Sequence, residues 1–419
     1  MNSGEMKLKL LNRTLKRCEK SEFYRGRPGG KSLKSLDDLK GIPLTTKDDL
    51  RNNSPYGLIC APRRALVQYH ESFGTTGVPV SIWLTREDLR RNAKIISYWG
   101  VGFNADDTVL IRYPYAISGV AHMVHAGAQR KKACVIPASS RTAVCPFPRI
   151  VSLMRKLGVT VLAGLPLQAL LIAETAELMG YRPGKDFPML RALCTAGEPL
   201  SPWRRKLLED IWGVPVFDNY GLTETGPLAL DCEFGHLHPL EDDYIFEILR
   251  DDFQTPSAEN ECGYLVITTL CREGTPLLRY LTGDLVRMVE QDCPCGSRLT
   301  MEVHGRSEQR ISAGPAILDI WDLDEIVSFL PYRRFWIAAP AQDGIKIVLE
   351  EEPESGPLHY KKADSLETRF GVRVHLEIVP KGTLFNRSKL LETAIIGKPA
   401  YIVSPEELAE KKQPAASVL

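Results

Sequence analysis

The stretch from Leu190 to Gly226, LRALCTAGEPLSPWRRKLLEDIWGVPVFDNYGLTETG, decides the fold. Its apolar run Leu190 to Thr195 reads as a strand, and Gly197-Glu198-Pro199 as a turn into a helical pattern from Trp203 to Ile211. A second strand around Asp218 then runs into a glycine-rich turn. The same rhythm runs upstream. Strand-like Thr108 to Arg112, Ala133 to Ile136 and Val159 to Ala163 alternate with helical Arg86 to Trp99, Phe147 to Leu157 and Leu167 to Met179. Such alternation predicts an α/β body of layered sheets. Loops at the carboxyl ends of its strands are where ligands usually bind.

Working outward, Leu8, Leu10, Leu11 and Leu15 fall at helical spacing, and the start signal Pro43-Leu44-Thr45 leads into a polar linker, Asp48 to Asn52. Residues 1–64 are therefore expected to form a helical N-terminal segment. Residues 230–300 turn β-rich, with strands at Tyr244 to Leu249, Gly263 to Thr269 and Asp284 to Met288. After Gly305 the order becomes helix Asp322 to Phe329, strands Arg334 to Ala338 and Ile345 to Glu350, helix Tyr360 to Phe370 and strand Val372 to Val379. This is a small α+β unit, and a boundary near Arg306 separates a large domain, 1–305, from a small one, 306–419.

With 53 Lys+Arg against 52 Asp+Glu the net charge is +1, so no broad field draws in nucleic acid or acidic membranes. Small-molecule ligands are expected instead. Ten scattered cysteines and an N-terminus without an apolar secretory region point to a cytoplasmic setting. The longest apolar stretch, Val159 to Ala173, is interrupted by Gly164, Pro166 and Gln168 and falls short of the roughly 20 residues that span a bilayer. No membrane segment is expected.

Several short motifs carry chemistry. In Ser72-Phe73-Gly74-Thr75-Thr76-Gly77, two glycines bracket two hydroxyls, so backbone N–H groups and threonine hydroxyls can approach a phosphate. Alone, it also reads as an ordinary hairpin. Gly29-Gly30-Lys31-Ser32 fails as a phosphate loop, because Arg25 stands where the first glycine is needed. Tyr220 offers a flat face for a purine, and Glu224 a hard oxygen for Mg²⁺. Asp284 offers a carboxylate for ribose hydroxyls, although a lone turn aspartate is more often a local cap. Cys293-Pro294-Cys295 supplies two thiolates, and Cys232, His236 and His238 supply a third with two imidazoles. Such a donor set suits a tetrahedral structural zinc.

Taken in order, these pieces resemble the adenylate-forming superfamily, and within it the phenylacetate–CoA ligases. The likeness runs from SEFYRGRPGG and IPLTTKDDLR through HESFGTTGVPVSIWLTREDL, TAGEPLSPWRR, NYGLTETGPLALDC and RYLTGDL to HGRSEQRI. It implies a large domain that binds ATP and a carboxylic acid, with a small C-terminal domain that swings between two half-reactions. Thr75 and Thr76 match positions that hold phosphates, and Gly197, Glu198 and Pro199 match the segment against adenine. Tyr220 matches the adenine-stacking aromatic, with Gly221 and Thr223 in the same motif. Glu224 matches the magnesium ligand, Asp284 the ribose carboxylate and Arg306 the domain-junction arginine. Glu308 matches the hinge, and Lys389, placed in a loop after the last strand, matches the lysine that neutralises charge at the α-phosphate. Glu224, Thr76 and Lys389 are thereby expected to be catalytic. Tyr113 and Tyr115 match an aromatic-rich segment near the acid pocket, and read equally as core residues. Some relatives carry a matching Cys, His and Cys-Pro-Cys-Gly arrangement, which selects His238 over His236 and gives the set Cys232, His238, Cys293 and Cys295.

The resemblance implies ATP, Mg²⁺ and coenzyme A, with structural zinc and an aryl acid as substrate. The sequence departs from the pattern at Phe73, where a small hydroxyl residue is usual, and at Gln309, where an acid is usual. The Gly382 to Lys389 stretch is one residue short. Two other readings therefore stand: transfer of the acyl group to a carrier protein, an amine or a reductase partner, with a downstream tailoring enzyme as a candidate partner, and a ligand-binding relative without catalysis. A homodimer is open.

Overall fold

A computed structural model describes residues 3–27, 32–72, 79–314, 316–331, 333–352, 367, 369–392 and 400–411. In chain order the elements are α1 (Ser3–Cys18), α2 (Lys47–Asn52), β1 (Leu66–Glu71), β2 (Ser81–Thr85), α3 (Arg86–Ile96), β3 (Thr108–Ile111), α4 (Val120–Arg130) and β4 (Cys134–Pro137). Next come α5 (Phe147–Lys156), β5 (Val161–Gly164), α6 (Pro166–Leu178), β6 (Ala192–Ala196), α7 (Pro202–Trp212), β7 (Val216–Leu222), β8 (Gly226–Asp231) and β9 (Leu237–Pro239). Strands β10 (Tyr244–Leu249), β11 (Gly263–Thr269), β12 (Tyr280–Glu290), β13 (Leu299–Arg306), β14 (Ile311–Ala313) and β15 (Ala316–Leu318) follow. The chain continues through α8 (Ile320–Ser328), β16 (Trp336–Ala341), β17 (Gly344–Glu350), β18 (Arg373–Val379), α9 (Ser388–Glu392) and α10 (Pro405–Lys411). The fold is mixed α/β with several sheets, as the alternating sequence pattern predicts.

The chain divides into two compact units. One comprises Met1–Pro137 with Phe217–Glu302, and the other Ala138–Val216 with Val303–Leu419. In the first unit β1 and β2 form an antiparallel pair, β3 and β4 a parallel pair, and β7, β8 and β9 an antiparallel meander. Strands β10, β11 and β12 form the expected β-rich part. Helix α3 starts on a capping box between Thr85 and Asp88. The Asp88 carboxylate also accepts from the Glu273 and Gly274 amides at 2.8 and 2.9 Å, so one side chain ends a strand, starts a helix and pins a distant loop.

In the second unit β5 pairs in parallel with β6, and β16, β17 and β18 form a three-stranded sheet. That sheet is apolar on both faces. Trp336, Ala338, Ile345, Ile347 and Leu349 pack with Leu323 and Ile326 of α8, while Ile337, Ala339 and Val348 pack with Leu384, Val403 and Leu408. Helix α6 is buried from Pro166 to Ala176 and carries one buried carboxylate, Glu174. Arg334 Nη1 lies 2.7 Å from it and Arg387 Nε 3.0 Å, and Arg387 also binds the buried Glu350. Burial pushes the Glu174 carboxyl up, but Arg387, Arg334 and Lys381 outweigh it and hold it below the usual range. A second buried pair joins Arg204 Nη2 to Asp324 Oδ1 at 2.8 Å, with Ser201 Oγ donating to Asp324 Oδ2 at 2.7 Å.

Three local expectations change. Residues 48–52 are not a linker but lie in α2, because Thr46 and Asp49 close a capping box at its start. Asp284 neither opens a strand nor lies in a turn. It sits within β12, where Gly283 adopts φ +78° and the register against β11 shifts, a bulge that re-aims the following side chain. Lys389 is not in a loop but in the short helix α9, which Asn386 caps by accepting from the Ser388 amide at 3.0 Å. Helix α4 lies outside the helices expected from sequence, and its buried face is built mostly from small residues, Ala121, Val124, Gly127 and Ala128.

Candidate active site

The first unit holds Ser72, Tyr113, Tyr115, Tyr220, Thr223, Glu224 and Asp284. The turn between β7 and β8, residues 223–225, holds Glu224, which is 3% exposed. Gly221 is required there, since a Cβ at that position would lie 2.4 Å from the Gly226 carbonyl oxygen, and Gly226 itself has φ +78°. Thr225 Oγ1 donates to the Gly226 carbonyl at 2.9 Å, and Arg272 donates to the Thr225 carbonyl, so the turn is held from both sides.

Glu224 Oε1 lies 3.5 Å from Tyr280 Oη and 3.9 Å from Lys47 Nζ. Lys47 reaches it because Thr45 pairs through its backbone with β12, accepting from the Leu281 amide at 2.9 Å and donating to the Arg279 carbonyl at 2.9 Å. Neither Lys47 nor Tyr280 was singled out from sequence. Lys47 sits in the IPLTTKDDLR stretch and Tyr280 in RYLTGDL, so both lay inside quoted motifs, but only the turn geometry gives them a role. A few residues away, Tyr220 Oη donates to Asp284 Oδ2 at 2.5 Å. Asp284 is buried, and its own amide donates to Thr282 Oγ1 at 3.1 Å.

Upstream, Ser72 closes β1 by exchanging hydrogen bonds with Val80, its amide donating to the Val80 carbonyl and its hydroxyl accepting from the Val80 amide, both at 3.0 Å. Gly74, Thr75, Thr76 and Gly77, with Phe73, lie outside the described residues. Tyr113 is buried. Tyr115 is half-buried with its hydroxyl 3.1 Å from His125 Nδ1, and burial pushes that hydroxyl up to about 12, so it stays protonated.

The second unit holds the remaining matches. Gly197 has φ +83°, and Glu198 Oε2 accepts from the Leu167 amide at 3.2 Å, capping the start of α6. A Cβ on Gly305 would approach the Pro199 ring at 3.2 Å. Arg306 ends β13 and accepts at its carbonyl from the Gln309 amide at 2.9 Å, with Glu308 exposed in the turn between them. Lys389 is exposed on α9.

Cys232, His238, Cys293 and Cys295 converge in the first unit, with one ligand atom from each lying within 4.8 Å of the others. Cys232 Sγ is 3.7 Å from Cys293 Sγ, and His238 Nε2 is 3.3 Å from Cys295 Sγ. A tetrahedron with zinc–sulfur bonds of about 2.3 Å has edges of about 3.8 Å, so the separation of the two sulfurs fits. His238 Nδ1 donates to the Leu299 carbonyl at 2.7 Å, which leaves Nε2 as the lone pair facing the thiols, the usual arrangement for a metal-binding imidazole. Burial pushes the Cys293 thiol up, but the Cys295 amide and hydrogen bonds from His236, Cys295 and His238 bring it down to about 6. His236 Nδ1 lies 3.1 Å from Cys293 Sγ, outside the four-atom set.

Residues 64–265 match the family model of the AMP-binding enzymes. The phenylacetate–coenzyme A ligase of Escherichia coli is 32% identical over 306 residues, 71% of this chain and 68% of that enzyme. This chain belongs to the adenylate-forming, phenylacetate–CoA ligase-like family. The ligase of Thermus thermophilus is also 32% identical, over 64% of this chain, and the match spans only 60% of that enzyme's length. A 2-hydroxyisobutyryl-CoA ligase in its postadenylation state, complexed with an acyl-adenylate, superposes with TM-score 0.83 at 20% identity, over 97% of this chain and 90% of its own. That likeness supports the shared adenylate-forming fold.

Proposed function

We propose that this protein uses ATP to activate a carboxylic acid, aryl in character, as an acyl-adenylate and then passes the acyl group to coenzyme A. The observation that carries the reading is the pairing, within one unit, of Tyr220 with Asp284 beside the Glu224 turn. The Tyr220 ring offers a face for the base, and its hydroxyl fixes the carboxylate that would receive ribose hydroxyls. Glu224 contributes a buried hard oxygen suited to Mg²⁺, which would neutralise phosphate charge when bound. Lys47 Nζ places a cation beside the same carboxylate.

In the first half-reaction an oxygen of the acid attacks the α-phosphorus of ATP. The bond from that phosphorus to the bridging oxygen breaks, and pyrophosphate leaves with the electron pair. Lys389 and the residues of the Ser72 to Gly77 segment would offset the charge gathered there. In the second, the coenzyme A sulfur bonds the acyl carbon, AMP departs, and the thiol proton passes to solvent. Activation is needed because a carboxylate is a poor electrophile. An independently moving domain from 306 onward, hinged at Glu308, would have to part the buried Arg204–Asp324 and Arg387–Glu174 pairs.

We assign Cys232, His238, Cys293 and Cys295 as a structural zinc site, on the strength of the donor set and the His238 tautomer. No helix among the described residues is long and apolar enough to cross a membrane. Incubating the protein with ATP, Mg²⁺, coenzyme A and single aryl acids, then identifying AMP and acyl thioester by mass spectrometry, tests the reading. Adenylate that forms and persists despite coenzyme A would instead favour delivery to a carrier protein or other acceptor.

A further inference from the structure

The segment from Tyr115 to Gly119 is clamped by two imidazoles. His70 Nδ1 lies 2.8 Å from the Ile117 carbonyl, and His122 Nε2 lies 2.9 Å from the Tyr115 carbonyl. A carbonyl can only accept, so each of those nitrogens carries the proton, and in the neutral ring the opposite nitrogen is a bare lone pair. His70 is 4% exposed, and among the described residues its Nε2 has no partner. Burial, with His122 and Arg272 nearby, depresses its basicity and keeps it neutral.

The clamped segment is under backbone strain. Ile117 has φ +59°, a conformation β-branched residues rarely adopt, and its side chain is half exposed. The Glu71 amide donates to the same Ile117 carbonyl at 3.2 Å, which ties the strap to β1 immediately before Ser72. Gly119 leaves space beside it. Its φ of −82° suits any residue, and a Cβ there would meet His70 Cδ2 and Nε2 at 3.6 and 3.7 Å and Met123 Cε at 3.7 Å, so the missing methyl group opens a gap over the His70 lone pair. The His70 and His122 rings are 5.6 Å apart, and the Tyr115 ring lies 5.3 Å from His122.

We propose that this wall of the acid pocket selects an aryl acid bearing a hydrogen-bond donor, a ring hydroxyl or amine, whose proton is accepted by His70 Nε2 or His122 Nδ1. The inference rests on the reading of Tyr115 as lining the acid pocket and deepens it from aryl acids in general to donor-substituted ones. An unsubstituted or methylated ring offers these lone pairs no proton, and sites built to hydrogen-bond a substrate discriminate against analogues that cannot.

The test compares acid-dependent ATP–pyrophosphate exchange for the ring-hydroxy, ring-amino and ring-methyl isomers of benzoate and phenylacetate, with the unsubstituted acids. At least one hydroxy or amino acid is expected to exceed its methyl isostere about tenfold or more in kcat/KM. His70→Asn keeps a donor at the Nδ1 position and removes the Nε2 acceptor, and His122→Gln keeps the Nε2 donor and removes the Nδ1 acceptor. At least one of them should cut that preference about tenfold, while KM for ATP stays within about twofold. Equal or better exchange with the methyl or unsubstituted acids overturns this inference and leaves adenylation intact. So does an unchanged preference in both variants. Absence of exchange with every acid overturns both.

Discussion

The Tyr220 hydroxyl donates to Asp284 Oδ2 across 2.5 Å, joining the end of β7 to a bulge in β12. Two motifs separated by more than sixty residues thus present one flat ring and one buried carboxylate together.

From that pair, Asp284→Asn should raise KM for ATP about 10- to 100-fold, the worth of a hydrogen bond to a charged group. Tyr220→Phe retains the ring face and loses only the hydroxyl, so its effect should stay below about tenfold. Steady-state pyrophosphate release at varied ATP checks both, and an unchanged KM in Asp284→Asn would remove the nucleotide-binding role.

The Cys232, His238, Cys293 and Cys295 cluster predicts one zinc per chain in protein purified without chelator. Cys293→Ser should lose the metal and lower Tm by roughly 5 °C or more, since binding energy at such sites is folding energy. Plasma emission analysis and a thermal melt read the two effects. A metal-free wild-type protein would show that these are ordinary reduced thiols.

Glu174 predicts an acid-sensitive second unit. Its folded carboxyl titrates below the unfolded value of about 4.3, so its contribution is present above that pH and is lost as pH falls through the lower, folded value. Glu174→Gln should destabilise by about 3 kcal/mol at neutral pH, because Arg387 and Arg334 lose a buried counter-charge. The gap from wild type should narrow below about pH 4. Urea melts at pH 7 and about pH 3 measure it.

The elements were legible where apolar periodicity is strong. The run from Tyr244 to Leu249 and that from Gly263 to Thr269 are strands with the residues expected. The convergence of Cys232, His238, Cys293 and Cys295 was legible in part because thiols and imidazoles in tight turns are few, while the choice of His238 over His236 came from the resemblance. What the sequence hid depends on long-range pairing. Thr45 pairs with Tyr280, and only that brings Lys47 to Glu224. His70 and His122 look like isolated polar residues until their hydrogen bonds to Ile117 and Tyr115 set their tautomers. Capping also misled, since the polar run after Thr46 is polar because it is a short exposed helix.

Acid-dependent ATP–pyrophosphate exchange, run with wild type and Glu224→Gln, tests the central claim most directly. The account predicts exchange with some aryl acid that needs ATP and Mg²⁺ and falls about 100-fold or more in Glu224→Gln, the scale of losing one preorganised electrostatic group. Exchange that survives in Glu224→Gln, or none with any acid in wild type, would contradict it.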